Sequence, residues 1–183
     1  MHRVVTFALV LAALPALAGP PAQPVSAPNP LLGEWKTPFG VPPFEAIKPE
    51  HFVPAFEAAM AAQRKEIDAI VSNPQAPSFA NTLEAMDASG ELLASVGNIF
   101  FALSGAETND QLQAIAREMA PKLSAFQDDI LLDEKLFARV KAVWDGREAI
   151  TLDPDQRMLL KKTFDGFVRG GANLAPAQKE RLR

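Results

Sequence analysis

From Pro49 onward apolar side chains recur every three or four positions in successive stretches, and no alternating run of β-branched residues interrupts them. A chain patterned this way can bury a continuous face only as helices, so the fold class it predicts is all-α. Local signals set the bounds of each helix. Pro49 is tolerated in a first turn and opens a stretch that carries Phe52, Phe56, Met60, Ile67 and Val71 on one face, until Asn73-Pro74 stops it. A second helix is expected to start near Ser78 and to run unbroken through Leu83, Met86, Leu93, Val96, Phe100 and Leu103. Gly90 and Gly97 lie seven apart on its stripe, where a missing side chain would let a neighbouring helix approach. Asn109 caps a third, with Leu112, Ile115, Met119, Leu123, Phe126 and Ile130 in phase; Pro121 is expected to kink or split it.

Asp133 caps a fourth helix bearing Leu136, Phe137, Val140, Val143 and Trp144, which ends at Gly146. The fifth has the clearest start: Asp153-Pro154-Asp155-Gln156 combines a cap, a proline at the first helical position and a Gln three residues past the cap. Leu159, Leu160, Phe164 and Phe167 form its apolar face, and Gly170-Gly171 terminates it. Pro176 begins a sixth. Short breaks between helices favour antiparallel neighbours, hence stacked helical hairpins.

The amino-terminal 48 residues are different. Residues 1–18 have a basic start at His2 and Arg3, an apolar stretch from Val4 to Leu14 and Ala16-Leu17-Ala18 as a small-x-small end, the three parts of a secretory signal peptide. The apolar stretch is shorter than the roughly 20 residues a bilayer span needs, so removal is expected rather than a stable membrane anchor. A periplasmic or secreted protein follows, and a chain with no cysteine must then hold its fold by its core, without disulfides. Residues 19–30 are a Pro-rich linker without periodicity. Residues 31–183 are read as one helical domain. Its first part, up to Pro49, is expected to be a non-helical arm pinned to the helices by Trp35, Phe39, Phe44 and Ile47.

Chemistry is sparse. The net charge is −4 and both signs are scattered, so no basic track invites nucleic acid. His2 leaves with the signal, and His51 alone cannot assemble the three or four ligands zinc requires; beside Glu50 on a first turn it reads as a capping group. Asp128-Asp129 and Asp133-Glu134 are adjacent pairs whose side chains diverge on a helix, and Asp133 is already a cap. Asp153 and Asp155 lack the glycine and distal Glu of a calcium loop. Arg169-Gly170-Gly171 lacks the preceding strand and following Lys-Ser/Thr of a phosphate loop. Ser89, Ser95, Ser104 and Ser124 have no partner base. These residues therefore offer no catalytic, cofactor-binding or metal-binding residue.

Five blocks in order carry a resemblance. They are IKPEHFVPAFE at 47–57, SFANTLEAM at 78–86, GAETNDQL at 105–112, DEKLFARVKAV at 133–143 and FVRGGANL at 167–174. Together, across residues 29–183, they resemble the amino-terminal part of the thimet oligopeptidase family of zinc metallopeptidases, in wording most similar to its bacterial peptidyl-dipeptidase branch and less to oligopeptidase A or neurolysin. The resemblance implies the amino-terminal helical domain of a zincin-like oligopeptidase, forming one wall of a channel that admits short peptides. It also implies zinc held by an HExxH motif and a further Glu. Residues 1–183 contain no HExxH, so no family metal ligand or catalytic residue transfers onto this sequence. The expectation is an inactive helical segment whose catalytic domain lies beyond Arg183; the alternative is a stand-alone helical module that binds peptides or a partner without cutting them.

Overall fold

The computed structural model describes residues 28–174 and 176–179. The signal peptide and most of the linker read from the sequence lie outside the described residues. Within them there are helices and turns and no strand, as the three-to-four periodicity requires.

A 3-10 turn, Pro49–His51, leads into α1, Phe52–Val71. Ser78 and Asn81 then cap a π-helical turn, Phe79–Glu84, reciprocally: Ser78 Oγ accepts from the Asn81 N–H at 3.1 Å, and Asn81 Oδ1 accepts from the Ser78 N–H at 2.9 Å. One α-helical turn follows, α2, Ala85–Asp87. The expected single second helix is thus broken. Gly90 adopts φ +78 and starts α3, Glu91–Ala106, as a separate element. The reason is local. Left-handed backbone cannot continue a right-handed helix, and only glycine takes it without strain. An added Cβ on Gly90 would also sit 2.4 Å from Gln63 Nε2 of α1.

Gly97 corrects the other half of that expectation. Nothing lies within 4 Å of where its Cβ would be, so it is not a close helix contact but one of the residues lining an open groove. Asn109 Oδ1 accepts from the Leu112 N–H at 2.9 Å and caps α4, Asp110–Leu131, which runs through Pro121 as one element. Pro121 is exposed, so the carbonyl it leaves without a donor falls on the solvent side, where water can take it.

Asp133 caps α5, Glu134–Asp145, by accepting from the Lys135 and Leu136 N–H groups, both at 2.9 Å. A 3-10 turn, Arg147–Ala149, leads to α6, Pro154–Arg169. Asp153 and Gln156 form the expected capping box, at 2.8 and 3.1 Å. Two hydrogen bonds, Gly171 N–H to Val168 O and Ala172 N–H to Phe167 O, close α6, with Gly171 at φ +91. The double glycine therefore does what a Schellman terminus needs: one residue ends the helix and the next turns left-handed. A last helical turn, α7, spans Pro176–Lys179, and Lys179 pairs with Glu134 of α5 at 3.0 Å.

Packing is organised around α1. At ~1.5 Å per residue its 20 residues span about 30 Å, long enough to serve two cores in succession. Its first half packs chiefly on α3 and on the start of α4, burying Phe52, Ala55, Phe56 and Ala59 against Val96, Ile99, Phe100, Leu112 and Met119. Ala55 and Ala59 are one turn apart and fully buried, so small side chains set the approach. Phe100 meets Phe52 and Phe56 edge-on at 5.0 and 5.5 Å. The second half of α1 gives Ile67 and Ile70 to a cluster with Phe126, Ile130, Leu136, Phe137, Val140 and Phe167. A smaller cluster joins Phe79 and Leu83 to Val143, Leu152 and Leu160.

The arm is pinned by two of the four residues expected, Trp35 and Ile47, together with Leu31, and not by Phe39 or Phe44. Leu31 is buried in the first cluster with Trp35 and Ile47 packed on it, and the Trp35 Nε1–H donates to Pro30 O at 2.8 Å. Phe39 is fully exposed at φ +62, and Phe44 is nearly half exposed. Proline spacing forces the arm out of helix, yet it does not say which aromatic points inward.

Candidate functional site

Each residue weighed for chemistry in the sequence has a definite place. His51 Nδ1 accepts from the Lys48 N–H at 3.0 Å, so the imidazole caps the first turn, while the His51 backbone carbonyl accepts from Asn29 Nδ2 at 2.8 Å and ties that residue to the start of α1. Asp129 is paired with Arg64 at 3.1 Å across α4 and α1. Asp133 and Asp153 are spent as caps. Arg169 lies 3.9 Å from Asp165 one turn back, and the glycines after it form the helix terminus rather than an anion cradle. The Ser89 hydroxyl donates to Met86 O at 2.7 Å, and the Ser104 hydroxyl is buried without a hydrogen-bond partner. Among the described residues no group of three His, Cys, Asp or Glu side chains could hold a metal ion. The described residues therefore do not fit zinc, and no chemical step is derived through it.

Two buried charges among the described residues escaped the sequence reading, Lys179, paired with Glu134, and Arg139. Arg139 of α5 is 8% exposed, and its guanidinium donates to the Asn73 and Gln75 carbonyls at 3.0 and 3.4 Å and to Asn81 Oδ1 at 3.0 Å. It gathers the loop after α1 and the π-helical turn onto α5. Its signal was in the spacing: position 139 lies three after Leu136 and four before Val143, on the apolar face, where an arginine is costly unless partnered; here both Nη groups donate while the buried Nε–H makes no hydrogen bond.

The exposed charges behave as surface groups. Hydrogen bonds from Lys122 to Glu57 and Glu118 raise the ammonium above its ordinary value. The Lys161 hydrogen bond to Asp165 lowers that carboxyl. Both lie on the surface, where solvent screening leaves such pairs little influence on stability.

Two concave surfaces stand out. The first is a groove of about 410 Å³ beside α3, lined by Phe56, Leu93, Gly97, the amides of Gln63 and Asn98, and Phe101, 64% exposed. It can take apolar side chains and offers amide groups for hydrogen bonds; no acid or base lines it. The second, about 390 Å³, lies between the end of α5 and the start of α6. No helix in the described residues is long and apolar enough to cross a membrane.

Fold and surfaces define a helical scaffold with grooves for apolar groups. No family model matches the chain. It is nevertheless 43% identical over 155 residues to dipeptidyl carboxypeptidase of Salmonella typhimurium strain LT2, and 43% identical over 155 residues to that of Escherichia coli strain K12. Each comparison takes in 85% of this chain and 23% of the relative. Oligopeptidase A of Salmonella typhimurium is 27% identical over 153 residues, 84% of this chain and 22% of the relative. The chain is thus related to these peptidases, more strongly to dipeptidyl carboxypeptidase than to oligopeptidase A, as the resemblance implied. It spans under a quarter of the length of the curated relatives it matches.

Proposed function

We propose that this chain is the amino-terminal helical segment of an exported zinc metallopeptidase that releases dipeptides from the carboxyl ends of short peptides. The observation that carries this reading is the 43% identity to dipeptidyl carboxypeptidase sustained along 85% of the chain. Its role in such an enzyme is scaffold: a rigid helical wall of the substrate channel, inactive alone, with zinc and the groups that activate water supplied by sequence outside residues 1–183. Dipeptide release follows from what the relatives' name says they do, and export from the signal-like residues 1–18.

The test compares two proteins. The 183-residue chain, purified and loaded with zinc, should bind no stoichiometric metal and release no dipeptide from an amino-blocked tetrapeptide. The product of the uninterrupted reading frame through and beyond Arg183 should do both. Dipeptide release by the 183-residue chain itself would overturn the claim that it is inactive alone. A stop codon directly after Arg183, with saturable peptide binding by the chain, would replace this reading with that of a stand-alone peptide-binding module. For export, the mature amino terminus of periplasmic material should begin at Gly19; an intact Met1 in the cytoplasmic fraction would overturn that part.

A further inference from the structure

We infer that the cleft between the end of α5 and the start of α6 is a binding site for a small carboxylate that bears an apolar group. Nothing in the peptidase reading assigns it a role. It is lined by three cations, Arg147, Arg157 and Lys161, one carboxylate, Glu148, and the apolar side chains of Trp144, Ile150, Leu152 and Leu160. Its volume of about 390 Å³ lies at the small end of ligand pockets.

The two guanidiniums are held by the backbone. Arg147 lies over the Trp144 ring at 4.3 Å and donates one Nη1–H to Trp144 O at 2.8 Å, while the indole is itself stacked flat on Phe164 at 4.5 Å. Arg157 donates its Nε–H to Leu152 O at 2.9 Å. An arginine anchored by one N–H keeps the rest of its planar fork for a second acceptor, and a fork fixed in advance loses little entropy when a carboxylate arrives.

The charges select the ligand. Arg147 is partly offset by Glu148 at 3.4 Å, and Lys161 by Asp165. Arg157 has no carboxylate partner among the described residues. One cation in excess fits a monoanion better than a phosphate with its charge near two. Leu152 and Leu160 are almost wholly buried, so the apolar surface open to a ligand beside the cations comes chiefly from Ile150, 41% exposed. An aliphatic or aromatic acid, such as the free carboxyl end of an apolar peptide residue, satisfies both halves. The cleft would hold such an acid whether or not the chain works in peptide hydrolysis, so each idea can fail alone.

Calorimetric titration of the 183-residue chain with N-acetyl-phenylalanine should give saturable binding that weakens as salt is raised. N-acetyl-phenylalanine amide, which keeps the apolar group and loses the charge, should bind at least about tenfold more weakly, as should inorganic phosphate. Arg157→Gln should weaken the acid at least about fivefold. Should R157Q fail to fold by circular dichroism, K161Q takes its place: its side chain is 59% exposed, so the fold should tolerate it, and it should weaken binding about twofold. No saturable binding, equal binding of acid and amide, or folded variants that bind like the parent would each overturn the proposal.

Discussion

Gly90 concentrates three demands on one position. Its φ of +78 suits glycine, its Cβ site is taken by Gln63, and its N–H donates to Glu66 Oε2 at 2.7 Å. Gly90→Ala should therefore cost about 1–2 kcal/mol from backbone alone, read as a lowered urea midpoint with an unchanged slope. Gly97→Ala should do no such harm, because space is open there. Sequence could not separate these two glycines: both sit on the stripe, and they differ in backbone conformation, left-handed only at Gly90, and in what lies opposite, Gln63 at Gly90 and open space at Gly97. Arg139 is the second residue whose meaning is tertiary. Replacing it by Met takes the donor from the Asn73 and Gln75 carbonyls, while Asn81 Oδ1 keeps the Ser78 N–H, so Arg139→Met should cost about 1–3 kcal/mol and raise hydrogen exchange across residues 73–81. An R139M protein as stable as the parent would show that the clip contributes nothing.

The elements divide by how local their causes are. Helix starts at Asn109, Asp133 and Asp153 were legible because each cap is made by a side chain with an N–H two or three residues away. The end at Gly170-Gly171 was legible for the same reason. The second helix was misread as continuous because the apolar period persists across residues 88–90 while the backbone does not. Of the two outcomes expected at Pro121, the split does not occur, since a proline on the solvent face of a helix held by Met119, Leu123 and Phe126 costs a hydrogen bond but not the element. Pro121→Ala restores that bond and should stabilise the chain by up to about 3 kcal/mol, seen as a raised melting temperature. A fall in melting temperature would mean that Pro121 shapes α4 in a way the helix needs.

At the scale of the molecule, α1 is the shared strut. Because it runs through both larger clusters, the cores cannot melt separately without breaking one helix in the middle. Phe56→Ala in the first cluster and Phe137→Ala in the second should each cost about 3–5 kcal/mol, and each should lower a single common transition. Two resolved transitions in either variant would show that the clusters are independent. The relationship to dipeptidyl carboxypeptidase follows from residue order and needed no coordinates. Sequence alone also determined the helical class, the caps and the lack of an HExxH, because each depends on residue identity within a turn or two. Only the tertiary structure decided that Leu31 rather than Phe39 pins the arm, that Gly90 breaks a helix while Gly97 opens a groove, and that Arg147, Arg157 and Lys161 share one cleft. Those outcomes turn on contacts between residues far apart in the chain, and periodicity within one segment carries no information about what the rest of the fold sets against it.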